Sequence, residues 1–352
     1  MNPINIMIVD DSVVMRSLLE KIISQDSAIK IVATAGNGQE AIDSIKNNLT
    51  IDVVLLDLQM PVMDGLHAIP YLLEVKPKLK IIIVSSLSAP GAKCTIEALA
   101  LGAADYIEKP TNKVVLKQFS DDLLSKIHTF GMAIRGIYPE TDVIVQNIKE
   151  ETPYLKTKPS SFKPEIFAIA SSTGGPRALL EILGGLSDDF LNTNIILITQ
   201  HIKNDFVDLL VNNINSISKL NCKKAVDHEE LQNGTIYLAP SDSHLEIQKI
   251  KGKLIVNLSD APPENFCRPS ADPMFNSLAK LPEKAIAIIL TGIGSDGLNG
   301  AKSMAEKGDI IIAQDQETSV VWGMPGSVAN AGICSAILPL HRIAAYIEKS
   351  FK

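Results

Sequence analysis

Two groups of side chains in this 352-residue sequence stand directly after short apolar runs, and their types suit two unrelated reactions. In the first group, Asp10 and Asp11 follow the run at 4–9, and Asp57 follows the run at 53–56. Ser85 follows 81–84, and Lys109 stands between the run at 104–107 and Pro110. Three carboxylates gathered at one edge repel each other unless a cation sits among them. A hard divalent ion such as Mg²⁺, held by a few carboxylates and water, suits that chemistry. A carboxylate is also a nucleophile toward a phosphoryl group. Lysine and metal would stabilise the transferred charge, and the Ser85 hydroxyl would hydrogen-bond the product. Taken singly, each of these residues reads as a solvated loop group; the case rests on their joint pattern.

The second group lies in the C-terminal half. The run at 166–170 leads into Ser171-Ser172-Thr173-Gly174-Gly175-Pro176. Glycines permit a sharp strand-to-helix turn, and Pro176 suits a first helical turn. A serine there stands above the sheet edge, near helix N-terminal amides that stabilise an oxyanion. The G-x-S-x-G elbow itself is absent, and alone this turn reads equally as a phosphate-binding or structural one. His201 follows the run at 195–199, where it is placed to act as base for the serine. Asp296 follows the run at 285–290, where a carboxylate would orient and charge the histidine.

The same loop offers a rival. Gly292, Gly294 and Gly297 form G-x-G-x-x-G between a strand and a helix, and Asp315 stands near the spacing of a ribose-binding acid. A dinucleotide site is disfavoured on two grounds. Asp296 would bring negative charge among amides meant for pyrophosphate. The motif also starts late, leaving little more than one βαβ unit where two are usual.

The elements that must position these residues alternate. In the first ~125 residues, apolar runs at 4–9, 31–33, 53–56, 81–84 and 104–107 are separated by helical patterns at 16–24, 40–47, 66–75 and 95–101. That alternation argues for a parallel sheet with helices on both faces. A second such pattern has runs at 166–170, 195–199, 235–239, 285–290 and 310–313, with helices over 177–183, 206–214 and 298–307. A hairpin pairs 244–249 with GKLIVNL. Prolines 139, 153, 159 and 164 punctuate the polar stretch between. The expected organisation is therefore a domain over 1–125, a linker over 126–163 in which a helical extension precedes the flexible part at 139–163, and a second domain over 164–352.

Thirty-three basic against 40 acidic residues give a net charge of −7, which offers no pull toward nucleic acid or anionic membranes. No segment approaches the ~20 apolar residues of a transmembrane helix, and the first residues do not form a secretory signal. The four cysteines have no metal-ligand spacing. A cytoplasmic protein with reduced thiols and no direct membrane insertion is the expectation.

VDDS, LDLQMPVMDG, SS and EKP, in that order, resemble a response-regulator receiver domain over residues ~1–125. The resemblance implies a flavodoxin-like fold, phosphorylation of Asp57 by a histidine kinase, and Mg²⁺ held by Asp10, Asp11 and Asp57. It implies Ser85 and Lys109 as readers of the phosphoryl group and Tyr106 as a switch aromatic. IASSTGGP, ITQH, GTIYLAPSDSHL, RPSADPMFNSLA, ILTGIGSDG and AQDQETSVVWGMP resemble the catalytic domain of chemotaxis protein-glutamate methylesterases over most of ~164–345. That implies a Rossmann-like serine hydrolase domain with Ser172 as nucleophile, His201 as general base and acid, and Asp296 as orienting carboxylate. Thr173 and the amide near Ile293 are the implied oxyanion or positioning groups. The implied substrates are methylated glutamates on helical chemoreceptors, and in some members receptor glutamines. The hydrolase needs no cofactor, and the unphosphorylated receiver is expected to shield it. Three departures stand out: Gln59 where this branch often has an acid, Ala170 where Gly is usual, and a loop after His201 lacking the common prolines. The last bears on substrate choice and keeps a second reading in view, a signalling scaffold that has lost catalysis.

Overall fold

The computed structural model describes residues 2–86, 89–137, 163–217 and 221–351. The chain forms two compact units, Met1–Tyr138 and Pro139–Lys352. Most of the expected linker, residues 138–162, lies outside the described residues.

The first unit runs β1 (Ile4–Val9), α1 (Val13–Ile23), β2 (Ile29–Ala35), α2 (Gly38–Asn47), β3 (Val53–Leu56), α3 (Gly65–Val75), β4 (Lys80–Ser85), α4 (Ala89–Leu101), β5 (Asp105–Glu108) and α5 (Lys113–Ile134). Its five strands are parallel in the order β2-β1-β3-β4-β5. The central strands are buried nearly throughout. They therefore read as continuous apolar runs, as strands covered on both faces do. Ser12, Asn37, Asp64 and Asn112 cap the helices that follow them, each side chain accepting an amide hydrogen from the first turn. The expected boundary at 125 falls too early. Phe119, Leu123, Ile127 and Phe130 are all buried and recur along one face of α5, so residues 126–134 belong to this unit.

The second unit runs β6 (Ile166–Ser171), α6 (Gly175–Gly184), α7 (Asp188–Thr193), β7 (Ile195–Gln200), α8 (Asn204–Ser216), β8 (Cys222–Lys224), β9 (Thr235–Leu238), β10 (His244–Ile250) and β11 (Lys253–Ser259). It continues with α9 (Ala271–Ala279), β12 (Ala285–Ile289), α10 (Leu298–Lys307), β13 (Ile310–Gln314), α11 (Met324–Asn330), β14 (Ala336–Leu338) and α12 (Leu340–Phe351). Seven parallel strands lie in the order β14-β13-β12-β6-β7-β9-β8, and β10-β11 form a separate antiparallel hairpin. One face of the sheet packs on α6, α8 and α12 through Leu179, Leu210 and Ile343. The other packs on α9, α10 and the hairpin through Phe275, Met304 and Leu245.

The doubly wound topology places both sites. From β1 the first unit winds to β2 on one side and β3 on the other. From β6 the second winds first toward β7, then returns to β12 on the opposite flank. In each unit the strand order reverses beside the first strand, where a crevice opens outside the strand ends. Among the described residues, no helix is long and apolar enough to cross a membrane.

Candidate active site

In the first unit, Asp10 and Asp57 stand at the carboxyl ends of adjacent strands and Asp11 beside them. One carboxylate oxygen from each lies within 4.8 Å of the others. Lys109 reaches across from the end of β5, its Nζ 2.9 Å from both Asp10 Oδ2 and Asp57 Oδ2. Asp57 Oδ1 accepts the Leu58 amide hydrogen at 2.8 Å. Asp11, Asp57, Gln59, Ser85 and Lys109 line one cleft of about 220 Å³. Burial pushes the Asp57 carboxyl above the usual carboxylate range, because a single ammonium is shared with Asp10. Burial also opposes the charge of Lys109, but its two carboxylates hold its pKa above the ordinary lysine value.

Ser85 is held from behind: Thr95 Oγ1, fully buried, donates to Ser85 Oγ at 3.1 Å, and Ser85 donates to Ser86 O. Thr95 escaped the sequence reading because a threonine inside a helical pattern carries no signal of what it faces. Tyr106 is half-buried on β5 beside Ile83 and lies outside the cleft lining.

Buried Asp10 Oδ2 has the Lys109 ammonium, shared with Asp57, as its positive neighbour, and the carboxylates of Asp11 and Asp57 lie close by. Three carboxylates that share one ammonium form an oxygen-only donor set that fits a small divalent cation.

In the second unit, Ser172, His201 and Asp296 come from the ends of β6, β7 and β12, three adjacent strands. Backbone bonds fix those ends: Ser172 N donates to Thr291 O at 3.0 Å, and His201 N to Ser171 O at 3.0 Å. The turn after Ser172 passes through Gly174, whose φ of 78° is the left-handed region that glycine adopts without strain. A Cβ on Gly175 would sit 2.0 Å from Gln200 Oε1. Its absence admits the Gln200 amide, which accepts from Ser171 Oγ at 2.6 Å and donates to Ser172 O and His201 O at 2.9 and 3.0 Å. Gln200 thus ties the serine turn to the histidine strand. Gln200 was read only as a neighbour of His201, and Ser171 only as the alternative nucleophile to Ser172.

His201 Nε2 lies 2.8 Å from Asp296 Oδ2, and Nδ1 faces Cys267 Sγ at 3.5 Å. Among the described residues no hydrogen bond joins Ser172 Oγ to the imidazole; such contacts often tighten only with substrate present. Burial opposes the imidazolium, but Asp296 and the Cys267 sulfur overcome it and raise the His201 pKa to about 9.

Asp296 is buried beneath converging donors. Ser270 Oγ and Asn265 Nδ2 donate to Oδ1, and Ala271 N donates to Oδ2 at 2.7 Å. Ser270 caps α9, so the positive end of that helix points at the carboxylate. Burial works against the charge, yet the histidine and these donors hold the Asp296 pKa below the ordinary value. Ser270 and Asn265 were missed as site residues because they lie 26 and 31 positions before Asp296 in sequence.

The glycine motif has a packing role. A Cβ on Gly292 would meet Met324 Sδ at 2.3 Å and Ser172 Cβ at 2.8 Å. The peptide leading to Ile293 therefore lies against the serine, and among the described residues nothing accepts the Ile293 amide hydrogen. Thr173 is buried beside it, its carbonyl accepting from Thr291 Oγ1 at 2.9 Å. Asp315 accepts from Thr318 in a local turn.

Residues 167–347 match the family model of CheB methylesterase, and residues 6–120 match that of the response regulator receiver domain. A protein-glutamate methylesterase/protein-glutamine glutaminase of Azospirillum brasilense is 42% identical over 99% of this chain and 93% of its own length. A relative of the same name from Paramagnetospirillum magneticum is 41% identical over 98% and 96%. The crystal structure of the Thermotoga maritima CheB methylesterase catalytic domain superposes with a TM-score of 0.51 at 37% identity, covering 53% of this chain and 99% of that one. With the hydrolase domain matched over its length and full-length relatives of the same two-part organisation, the chain belongs to the CheB family of receiver-linked methylesterases.

Proposed function

We propose that this protein is a phosphorylation-regulated esterase that removes methyl groups from glutamate γ-methyl esters on chemoreceptors. The observation that carries the reading is the convergence of Ser172 with the His201–Asp296 pair on three neighbouring strand ends. Because Nε2 is committed to Asp296, Nδ1, which faces the Cys267 sulfur at 3.5 Å in the free protein, is the nitrogen that takes the Ser172 proton once substrate is bound. Ser172 Oγ attacks the ester carbonyl, and the Ile293 amide, with Thr173 beside it, stabilises the oxyanion. His201 returns the proton to the departing methoxide, giving methanol and an acyl-enzyme. Water, deprotonated by the same nitrogen, then releases the glutamate and restores the serine. A glutamine side chain would follow the same path with ammonia as leaving group, the second activity in the relatives' names.

In the first unit, Asp57 is the phosphoacceptor for a histidine kinase, with Ser85 and Lys109 contacting the phosphoryl oxygens and Tyr106 responding to them. Asp10, Asp11 and Asp57 would hold Mg²⁺, which when bound offsets the charge of the incoming group. A dinucleotide site is disfavoured, because the glycines serve to bring the β12 loop against Ser172 and place Asp296 beneath His201. The test is methanol release from membranes carrying methylated receptor, with and without a small phosphodonor. Release that rises with phosphodonor supports the reading; its absence in both conditions favours the scaffold alternative.

A further inference from the structure

The segment between the hairpin and α9 touches the candidate site at two points and leaves one residue outside. Asn265 Nδ2 donates to Asp296 at 2.9 Å and to Asp272 at 2.8 Å. Cys267 Sγ faces His201 Nδ1. Paired backbone bonds between Glu264 and Cys267, at 3.1 and 2.8 Å, close a two-residue turn over Asn265 and Phe266. Both have positive φ, 51° and 63°, as the favoured two-residue hairpin turns require. Asparagine tolerates that backbone; for a bulky aromatic it is an outlier. Phe266 is also fully exposed, at 103% relative accessibility. The fold thus accepts backbone strain at this position and recovers no buried apolar area for it.

A second exposed apolar residue belongs to the loop that lies against Ser172. Ile293, 40% exposed, follows Gly292, which lies against Ser172. Among the described residues of this unit, the exposed large hydrophobics are Val226, Ile250, Phe266 and Ile293. Two of these four therefore stand next in sequence to residues that approach the histidine and the serine, Cys267 and Gly292, a concentration that scattered surface apolar residues do not show.

We infer that Phe266 is a specificity-determining residue that packs on an apolar side chain of the polypeptide bearing the glutamyl ester, on the histidine side of the scissile bond, with Ile293 on the serine side. This rests on the esterase reading above. Covering an exposed aromatic ring takes more apolar surface than one methyl group presents, so its exposure suits a substrate carried on a protein. Strain held at a functional site and relieved by nothing in the free protein is the pattern expected of a prearranged contact.

The test compares wild type, Phe266→Asn and Phe266→Leu in the full chain. Asparagine suits the turn and removes the ring; leucine keeps an apolar group. Two substrates are used: methylated receptor membranes, and a small soluble glutamate γ-methyl ester. Phe266→Asn should raise KM for the receptor about tenfold, the scale of an anchoring contact, with kcat nearly unchanged. Its kcat/KM for the small ester should match wild type and its Tm should not fall. Phe266→Leu should restore most of the receptor KM. An unchanged receptor KM overturns the inference. So does an equal loss on both substrates, which would make Phe266 a support for His201. A gain on the small ester also overturns it, because Phe266 would then be covering the site. Ser172→Ala serves as the separate control: if it still hydrolyses the small ester, the esterase mechanism fails, whatever Phe266 does.

Discussion

Asp57 and Asp296 are both buried aspartates near the carboxyl ends of parallel strands, and their surroundings differ in what they leave unsatisfied. Asp296 receives hydrogen bonds from Ser270, Asn265 and Ala271 N as well as from His201, and it stays ionised despite burial. A carboxylate with its lone pairs so occupied is a poor nucleophile and a good fixed charge. Asp57 has one amide donor and half of a lysine. Burial pushes its pKa up, and its cleft is open to a ligand. On the proposed function, the same side chain serves as an orienter in one unit and as the phosphoacceptor in the other. What separates them is the number of donors supplied by neighbouring loops.

The comparison can be broken most directly by removing the nucleophiles. Ser172→Ala should lower methanol release by on the order of a millionfold, as loss of a serine nucleophile does, while leaving Mg²⁺-dependent labelling of Asp57 intact. Asp57→Asn should abolish that labelling and leave hydrolysis at its unphosphorylated rate. Measured labelling that survives Asp57→Asn would place the phosphosite elsewhere. If Ser172→Ala keeps wild-type methanol release and Ser171→Ala does not, the wrong serine has been assigned.

Asp296→Asn should cost about 10⁴ in kcat, because an amide cannot hold the imidazole in its charged, oriented form. Circular dichroism should show a folded protein. A loss of less than tenfold would mean that the donors, and not the charge, set the geometry of His201.

Ser270→Ala sharpens the contrast at smaller scale. Removing one buried donor to a charged group should cost about 1–3 kcal/mol of stability, read from chemical denaturation of the second unit, together with a reduced kcat. A neutral result would mean that the α9 terminus alone satisfies Asp296.

The smallest effect concerns pH. His201 has its pKa raised to about 9 against an ordinary 6.5. A raised pKa stabilises the folded state below the unfolded value, and that contribution is lost as pH rises from about 6.5 through about 9. The Tm of the second unit should therefore fall across that window. The rate should rise, because only the neutral imidazole accepts the serine proton. Cys267→Ala should move the rate profile to lower pH, since the sulfur helps hold the proton on the ring. A profile that does not move would assign the whole shift to Asp296.

The strand runs and their order of appearance were legible because both sheets are covered on two faces, so their strands are continuously apolar. β8, β14, α7, α9, α11 and α12 were not picked out. They are short or peripheral, and their patterns gain meaning only from what they pack against. The reach of α5 to Ile134 was read only as a helical extension outside the first domain, because its buried face continues past the point where the strand–helix alternation stops.

Residue types and spacing by themselves determined that Asp10, Asp11, Asp57, Ser85 and Lys109 form one candidate set and Ser172, His201 and Asp296 another, because each stands directly after a strand and strand ends share an edge. Tertiary structure alone decided which groups surround them. Thr95 behind Ser85, Gln200 across the serine turn, Ser270 and Asn265 on Asp296, and Cys267 on His201 act across gaps in sequence that carry no periodic signal. Whether a carboxylate is satisfied or left reactive depends on the donors within about 3 Å of it, and that distance is set only when the chain has folded.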